Sequence, residues 1–336
     1  MARHTWRLPC APCYEGNCLE FGTNKMCGSL TGSGLARPPL VYVIILNWNG
    51  LDLTLATLRS LQGQTYPRLR TLVLDNGSVD GESALSAIRR EFPEVELFYS
   101  RRNLGFAGGC NAGMKIALRS GANYLFLLNN DVLLEKSATT ELVAVLEANP
   151  EVGAACPLIY YEADRDRVWF SGGRLRLGGR VQAEHEPDEP VSAGDLSRGS
   201  DWLPGTAILA RRECVEQAGP MDPRYFLYWE DVDWSMRIKR AGYRLVVVPR
   251  AILWHKINAS TGTLPRPLSV VYYWERNRLR FIERWGGWRS LVIAISKIVW
   301  RSVAWRVHMP QGDPQAATKL EAYRDYILRR FGPRSS

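Results

Sequence analysis

The sequence predicts an α/β fold: a mostly parallel sheet with helices on both faces, followed by a helical region at the C-terminus. Three observations predict it. From Val41 to Ala148, short apolar, β-branched runs alternate with segments whose apolar residues are spaced for a helix, which is the pattern of βαβ units. Val41 to Leu46 is a continuous apolar run, as expected of a strand buried on both faces. The excess positive charge is confined to the last quarter of the chain, which sets that quarter apart from the rest.

The ordered part is expected to begin after the Pro38-Pro39 break. Val41 to Leu46 reads as a strand, Leu53 to Leu61 as a helix, Leu69 to Leu74 as a strand and Glu82 to Phe92 as a helix. Val95 to Tyr99 is strand-like, Ala107 to Arg119 helical, and Tyr124 to Leu128 a further strand. Ser137 is expected to cap a helix running to Ala148. Val168 to Val181, alternating and rich in Gly and Arg, reads as an exposed hairpin, and the acidic segment Glu184 to Arg198 as a mobile loop. Ala207 to Ala210 is a strand, Glu230 to Ala241 a helix ended by Gly242, and Leu245 to Val248 a last buried strand. After Ser260 the chain is helical and basic, with amphipathic segments at Tyr272 to Arg284 and Ser290 to Trp305. Three regions follow: a Cys-containing extension over 1–39, read as poorly ordered, a main domain over 40–260, and a Trp-rich helical region over 261–336.

With 336 residues, 46% hydrophobic and 23% charged, the chain can bury a substantial core, which excludes disordered, collagen-like and disulfide-dense classes. No apolar run reaches the roughly 20 residues of a membrane span. The first 40 residues lack a signal-type apolar segment, so a cytoplasmic protein is expected. Of the net charge of +9, all comes from Ala259 to Ser336, where 14 Lys and Arg face 5 Asp and Glu beside five of the twelve Trp. Such a surface suits anionic lipid headgroups first. No DNA or RNA motif accompanies the charge, so nucleic acid is not an expected partner. The bland alternative is a helical pair packed on the main domain with a solvated basic face. Cys10, Cys13, Cys18 and Cys27 crowd the N-terminus and could bind zinc, or simply belong to an unstructured extension.

Ligands of open α/β sheets bind beyond the carboxyl ends of the strands. Three polar clusters fall there: Asn47-Trp48-Asn49-Gly50, Asp75-Asn76-Gly77-Ser78 with Asp80, and Asn129-Asn130-Asp131. One such cluster is usually a turn; three at one edge point to a shared nucleotide pocket. Asp131 follows an apolar strand, where an ionised carboxylate is costly unless paired or metal-bound. A hard divalent cation would satisfy it and bridge a diphosphate; otherwise Asp131 caps its loop. The small-residue segment Asn103 to Gly113, with Gly105 and Asn111, does not match G-x-G-x-x-G and follows the third strand, which argues against a dehydrogenase. It would let a helix start lie close to a nucleotide or sugar, or pack tightly on the sheet. The acidic cluster Trp229-Glu230-Asp231-Val232-Asp233 opens a helix. The helix dipole accounts for one acid there, while a carboxylate near an acceptor hydroxyl can serve as general base.

In this order these segments resemble a family 2 glycosyltransferase of the GT-A fold, in the branch of rhamnosyl- and galactofuranosyl-type transferases. The resemblance runs from Val41 to His255, about two thirds of the chain. It implies an inverting transfer of a sugar from a nucleoside diphosphate, dTDP-rhamnose first and UDP-sugars second, to a glycan or lipid-linked glycan at the inner face of the cell membrane. It further implies that Asp75 reads the nucleobase, that Asp131 is the last acid of the Asp-x-Asp metal motif, and that His255 is a second ligand for Mg2+ or Mn2+. Asp231 would deprotonate the acceptor hydroxyl, with Glu230 beside it. The sugar-donor side would comprise Asn47, Asn49, Asp75, Asn76, Ser78, Asn103, Gly105, Asn111, Asn129 and Asn130; the acceptor side, Trp202, Gly205, Trp229 and Asp233. One departure stands out: Asn129 occupies the first acid position of Asp-x-Asp, and an amide oxygen binds a hard cation less well than a carboxylate. A non-catalytic sugar-nucleotide binder on the same fold is the alternative.

Overall fold

A computed structural model describes residues 37–176, 182–185, 199–256, 267–308 and 313–334. All the described secondary structure lies within Pro38–Ser336. The four clustered cysteines and most of the acidic 184–198 segment lie outside the described residues.

The first half alternates as expected: β1 (Val41–Asn47), α1 (Leu51–Gln62), β2 (Leu69–Asp75), α2 (Gly81–Glu91), β3 (Glu96–Tyr99), α3 (Gly105–Arg119), β4 (Tyr124–Asn129), β5 (Val132–Leu134) and α4 (Ala138–Ala148). The second half comprises β6 (Val152–Tyr161), β7 (Val168–Phe170), β8 (Gly173–Arg176), β9 (Gln182–His185), β10 (Ala207–Arg211), α5 (Arg212–Ala218), α6 (Glu230–Arg240) and β11 (Arg244–His255). Then come α7 (Leu268–Phe281), a π-helical turn over Ile282–Gly286, α8 (Gly287–His308) and α9 (Pro314–Ile327).

The main sheet runs β3-β2-β1-β4-β10-β6-β11-β5, with β7 on β6. β3, β2, β1 and β4 are mutually parallel, as are β6 and β11. β10 is antiparallel to both β4 and β6 and joins the two parallel halves. The continuously apolar runs are buried as predicted: Val41 to Ile45 and Leu125 to Leu128 are all nearly inaccessible. Each such side chain contributes about 1.5–3 kcal/mol by leaving water. Gly109 and Gly113 of α3 face β1, where an added Cβ would lie 2.4 Å from the Leu46 side chain and 2.3 Å from that of Ile44. Helix–sheet packing therefore accounts for this part of the small-residue segment.

Several expectations need correction. β6 was not predicted, because its small residues and Pro157 obscure a strand that its pairing with β10, β11 and β7 completes. β11 runs from Arg244 to His255, beyond the predicted Leu245–Val248, with a bulge after Val248 where Pro249 interrupts the ladder. The predicted hairpin strands separate: β7 joins β6, and β8 pairs with β9. Ser137 precedes α4, but its hydroxyl donates to Glu135 Oε2 at 2.6 Å and so does not cap the helix. No helix among the described residues is long and apolar enough to cross a membrane.

Candidate active site

Parallel pairing brings the three polar clusters to one sheet edge: Asn47 lies beside Asp75, and Leu46 beside Asn129. Much of their hydrogen bonding is mutual. Asn47 is fully buried; its amide donates to Asp75 Oδ2 at 2.8 Å, and its oxygen accepts from Thr54 Oγ1 at 2.9 Å and from the Asn130 amide at 3.3 Å. Asp75, also fully buried, accepts from the Ser78 N–H at 2.9 Å and the Ser78 hydroxyl at 2.7 Å. Asn49 adopts a left-handed φ of 51°; its N–H donates to Ser78 Oγ and its side-chain oxygen accepts from the Val79 N–H. The Asn76 amide donates to Asn103 Oδ1 and to the Gly105 carbonyl, both at 3.1 Å. These residues build the edge by bonding one another. Among the described residues, the Asn129 side chain has no such partner. Asn111 departs from its expected place: it donates to the Met221 carbonyl and accepts from the Met221 N–H, both at 2.8 Å, so its amide fastens α3 to the loop before α6.

Asp131 lies between β4 and β5, and β5 pairs antiparallel with the end of β11, setting His255 opposite Val132. The Lys256 N–H donates to the Asp131 carbonyl at 2.9 Å. His255 Nε2 faces Asp131 Oδ1 at 3.2 Å in a geometry that forms no hydrogen bond, and both side chains are buried. Trp169 packs edge-on against the His255 ring at 4.8 Å. A buried carboxylate oxygen without a hydrogen bond, aimed at an imidazole nitrogen, fits a hard divalent cation such as Mn2+. No group of three His, Cys, Asp or Glu able to hold a metal occurs among the described residues; Asp131 and His255 are the candidate pair in this corner.

The third part comes from α6. The Asp231 carboxylate accepts from the Gly205 N–H at 3.0 Å and the Val232 N–H at 2.8 Å. The next residue, Thr206, accepts the Asn129 N–H on its carbonyl at 2.9 Å. The segment leading into β10, Gly205-Thr206, therefore ties Asp231 to the edge carrying Asn129 and Asp131. Burial raises the Asp231 carboxyl above the usual carboxylate range, against the opposing pull of those two N–H groups. Glu230 is buried with Oε2 unpartnered, and burial, followed by the charge of Asp231, pushes its carboxyl well up. The two neighbours thus hold protons more tightly than free acids do, which brings a general base nearer to neutral working pH.

The residues expected on the acceptor side have differing surroundings. Gly205 supplies its N–H to Asp231. Trp229 is buried against Trp274 and Phe281, with ring centroids at 5.3 and 5.1 Å, and Trp202 packs edge-on against Phe170 at 5.2 Å. Among the described residues neither buried indole N–H has a hydrogen-bond partner. Asp233 is a correction. It is fully inaccessible and accepts from Trp285 Nε1 at 2.9 Å, Arg237 Nε at 3.0 Å, and the Tyr225 hydroxyl and Arg284, each at 3.3 Å. Its bonds fasten α6 to the C-terminal helices. The residues that sequence reasoning missed are Arg276, Asn277 and Arg280 of α7, all buried. Their only sequence signal is the run Arg276-Asn277-Arg278-Leu279-Arg280, which reads equally well as a solvated helix face.

Residues 38–278 match the family described as glycosyltransferase like family 2. An N-acetylglucosaminyl-diphospho-decaprenol L-rhamnosyltransferase of Mycobacterium tuberculosis is 29% identical over 69% of this chain and 80% of its own length. A galactofuranosyltransferase of Mycolicibacterium smegmatis is 32% identical over 62% of this chain and 68% of its own. Among solved structures, a mannosyltransferase of Pyrobaculum calidifontis in complex with GDP-Man and Mn2+ superposes with a TM-score of 0.53, at 17% identity, covering 87% of this chain and 88% of that one.

Proposed function

This chain belongs to the family 2-like glycosyltransferases, and on that premise we propose an inverting, metal-assisted transfer of a sugar from a nucleoside diphosphate to a glycan or lipid-linked glycan. dTDP-rhamnose is the first sugar donor to test and UDP-sugars the second. The observation that carries this reading is the tie through Gly205-Thr206, just before β10, which joins Asp231 to the strand edge holding Asn129 and Asp131. In the proposed reaction Asp231 takes the proton of the acceptor hydroxyl as that oxygen bonds to the anomeric carbon. The sugar–phosphate bond breaks, and the nucleoside diphosphate leaves from the opposite side. Asp75, with Asn49 and Ser78 ordered around it, would meet the nucleobase. Asp131 and His255 would hold the cation, which when bound neutralises charge on the departing diphosphate. Glu230 lies beside Asp231, where burial pushes its carboxyl well up.

The direct test is a thermal-shift series with dTDP, UDP and GDP, each with and without Mn2+ or Mg2+. Ligand binding to the folded state raises the melting temperature by mass action. A metal-dependent rise with dTDP or UDP is expected; no rise with any nucleotide would sink the proposal.

The same proposal places the enzyme at a lipid surface, as a lipid-linked acceptor requires; the rhamnosyltransferase relative is named for a diphospho-decaprenol acceptor. Supporting it, α8 exposes Trp288, Val292, Ile295 and Val299 at helical spacing, with exposed Arg289 at the edge of that stripe. An exposed apolar stripe with a cation at its edge suits an interfacial helix. The protein is expected to float with vesicles containing anionic lipid and not with neutral ones; protein left wholly in the soluble fraction with both would count against this contact.

A further inference from the structure

Between α5 and α6 the chain passes through Tyr225–Trp229 in a strained path. Phe226, Tyr228 and Trp229 have left-handed φ angles of 65°, 68° and 73°, a region that bulky residues rarely adopt. The Leu227 N–H donates to the Tyr225 carbonyl at 2.8 Å, closing a three-residue turn around Phe226. Glu230 and Asp231 follow directly, so the shape of this loop decides where α6 starts.

The carbonyls of the loop are held from two sides. From α7, the Asn277 side-chain amide lies within hydrogen-bond reach of three: Tyr225 at 2.6 Å, Leu227 at 2.8 Å and Tyr228 at 3.0 Å. Its oxygen accepts from Arg276 Nε at 3.0 Å, which fixes the orientation of the amide. Arg276 is wholly buried; it donates to the Tyr225 carbonyl at 3.2 Å and the Gly332 carbonyl at 2.8 Å, among the rings of Tyr272, Tyr273 and Phe331. From α3, the Phe106 N–H donates to the Phe226 carbonyl at 2.6 Å. Gly105 makes that approach possible: it has φ +73°, and an added Cβ would lie 2.5 Å from the same oxygen. Gly105 in turn accepts from Asn76 at the nucleotide edge.

We propose that Asn277, oriented by Arg276, is a positioning residue for Asp231: its amide holds the left-handed loop that aims the start of α6. The C-terminal helix α7 is thereby part of the catalytic apparatus. Buried carbonyls are costly to leave unpaired. Without the amide, the loop has every reason to relax toward ordinary backbone geometry and carry Asp231 with it.

This inference rests on the reading of Asp231 as the base, and a double-mutant cycle separates the two. Asn277→Ala is expected to lower kcat roughly 10- to 100-fold, the scale of a small misplacement of a reacting group, with the KM for the sugar donor and the nucleotide-induced thermal shift retained. In the Asp231→Asn background the same change is expected to cost less than about threefold, because residues acting as a unit are non-additive. Wild-type kcat in Asn277→Ala, or a full multiplicative loss in the double variant, would overturn the proposal. Wild-type turnover in Asp231→Asn alone would instead overturn the assignment of the base. Should Asn277→Ala not fold, Asn277→Gln keeps the amide on a longer arm. It is expected to lower kcat in the same non-additive way, and additivity there would be equally fatal.

Discussion

Asp231→Asn is expected to lower kcat by on the order of 10²-fold or more, the upper part of the general-base range, while nucleotide binding stays near that of the parent. The substitution preserves size and an oxygen that can accept the Gly205 N–H, but removes the ability to take a proton. The pH dependence supplies an independent check. Burial raises the Asp231 carboxyl above its ordinary value, and only the deprotonated form can act as base. Activity of the parent should therefore fall as pH drops through that raised value, at a pH above that of a free Asp side chain, about 3.9. The residual activity of the Asn variant should lack this limb. The same shift sets the sign for stability. Folded protein binds the Glu230 and Asp231 protons more tightly than unfolded chain does, so their contribution is present below the ordinary carboxyl range and is lost as pH rises through the raised values. Near-normal turnover in a folded Asp231→Asn protein would remove Asp231 from the role.

Asp131→Ala is expected to abolish most of the metal-dependent part of the nucleotide-induced thermal shift, raising the Mn2+ concentration needed by at least about tenfold. The carboxylate contributes the negative charge of the pair it forms with His255, and an imidazole alone is a weak site for a hard cation. Asp131 Oδ1 makes no hydrogen bond in the folded protein, so removing it should leave the melting temperature without nucleotide close to the parent's. This readout does not depend on turnover. His255→Ala should move the same curve in the same direction by a smaller factor, since it leaves the charge in place. An unchanged Mn2+ requirement in Asp131→Ala would reduce Asp131 to a loop residue.

Much of the site's outline was readable because it is local. A continuously apolar β-branched run must be buried on both faces, and the polar residues that end it must lie at a sheet edge; Asn47, Asp75 and Asn129 follow from that alone. The acids at the start of α6 were readable for the same reason. Roles that depend on distant partners were not. Asp233 looks like its neighbours in sequence, yet Trp285, Arg284 and Tyr225 turn it into an anchor. Asn111 sits among small residues suited to a ligand, but Met221, 110 positions away, takes up its amide. β6 carries no strong strand signal of its own and exists as a strand because β10 and β11 supply its hydrogen bonds.

By itself, then, the sequence determined the α/β class, the family, the polar strand ends and the acidic pair Glu230-Asp231, all written in short stretches whose side-chain pattern and backbone preference agree. Tertiary structure alone decided that antiparallel β10 joins the two halves of the sheet, that Gly205-Thr206 before it ties Asp231 to the Asn129 edge, that His255 meets Asp131, and that Arg276 and Asn277 are buried against the loop before α6. The physical reason is the same for each. A buried polar group takes its meaning from the partner that satisfies it, and these partners lie tens to more than a hundred residues away along the chain.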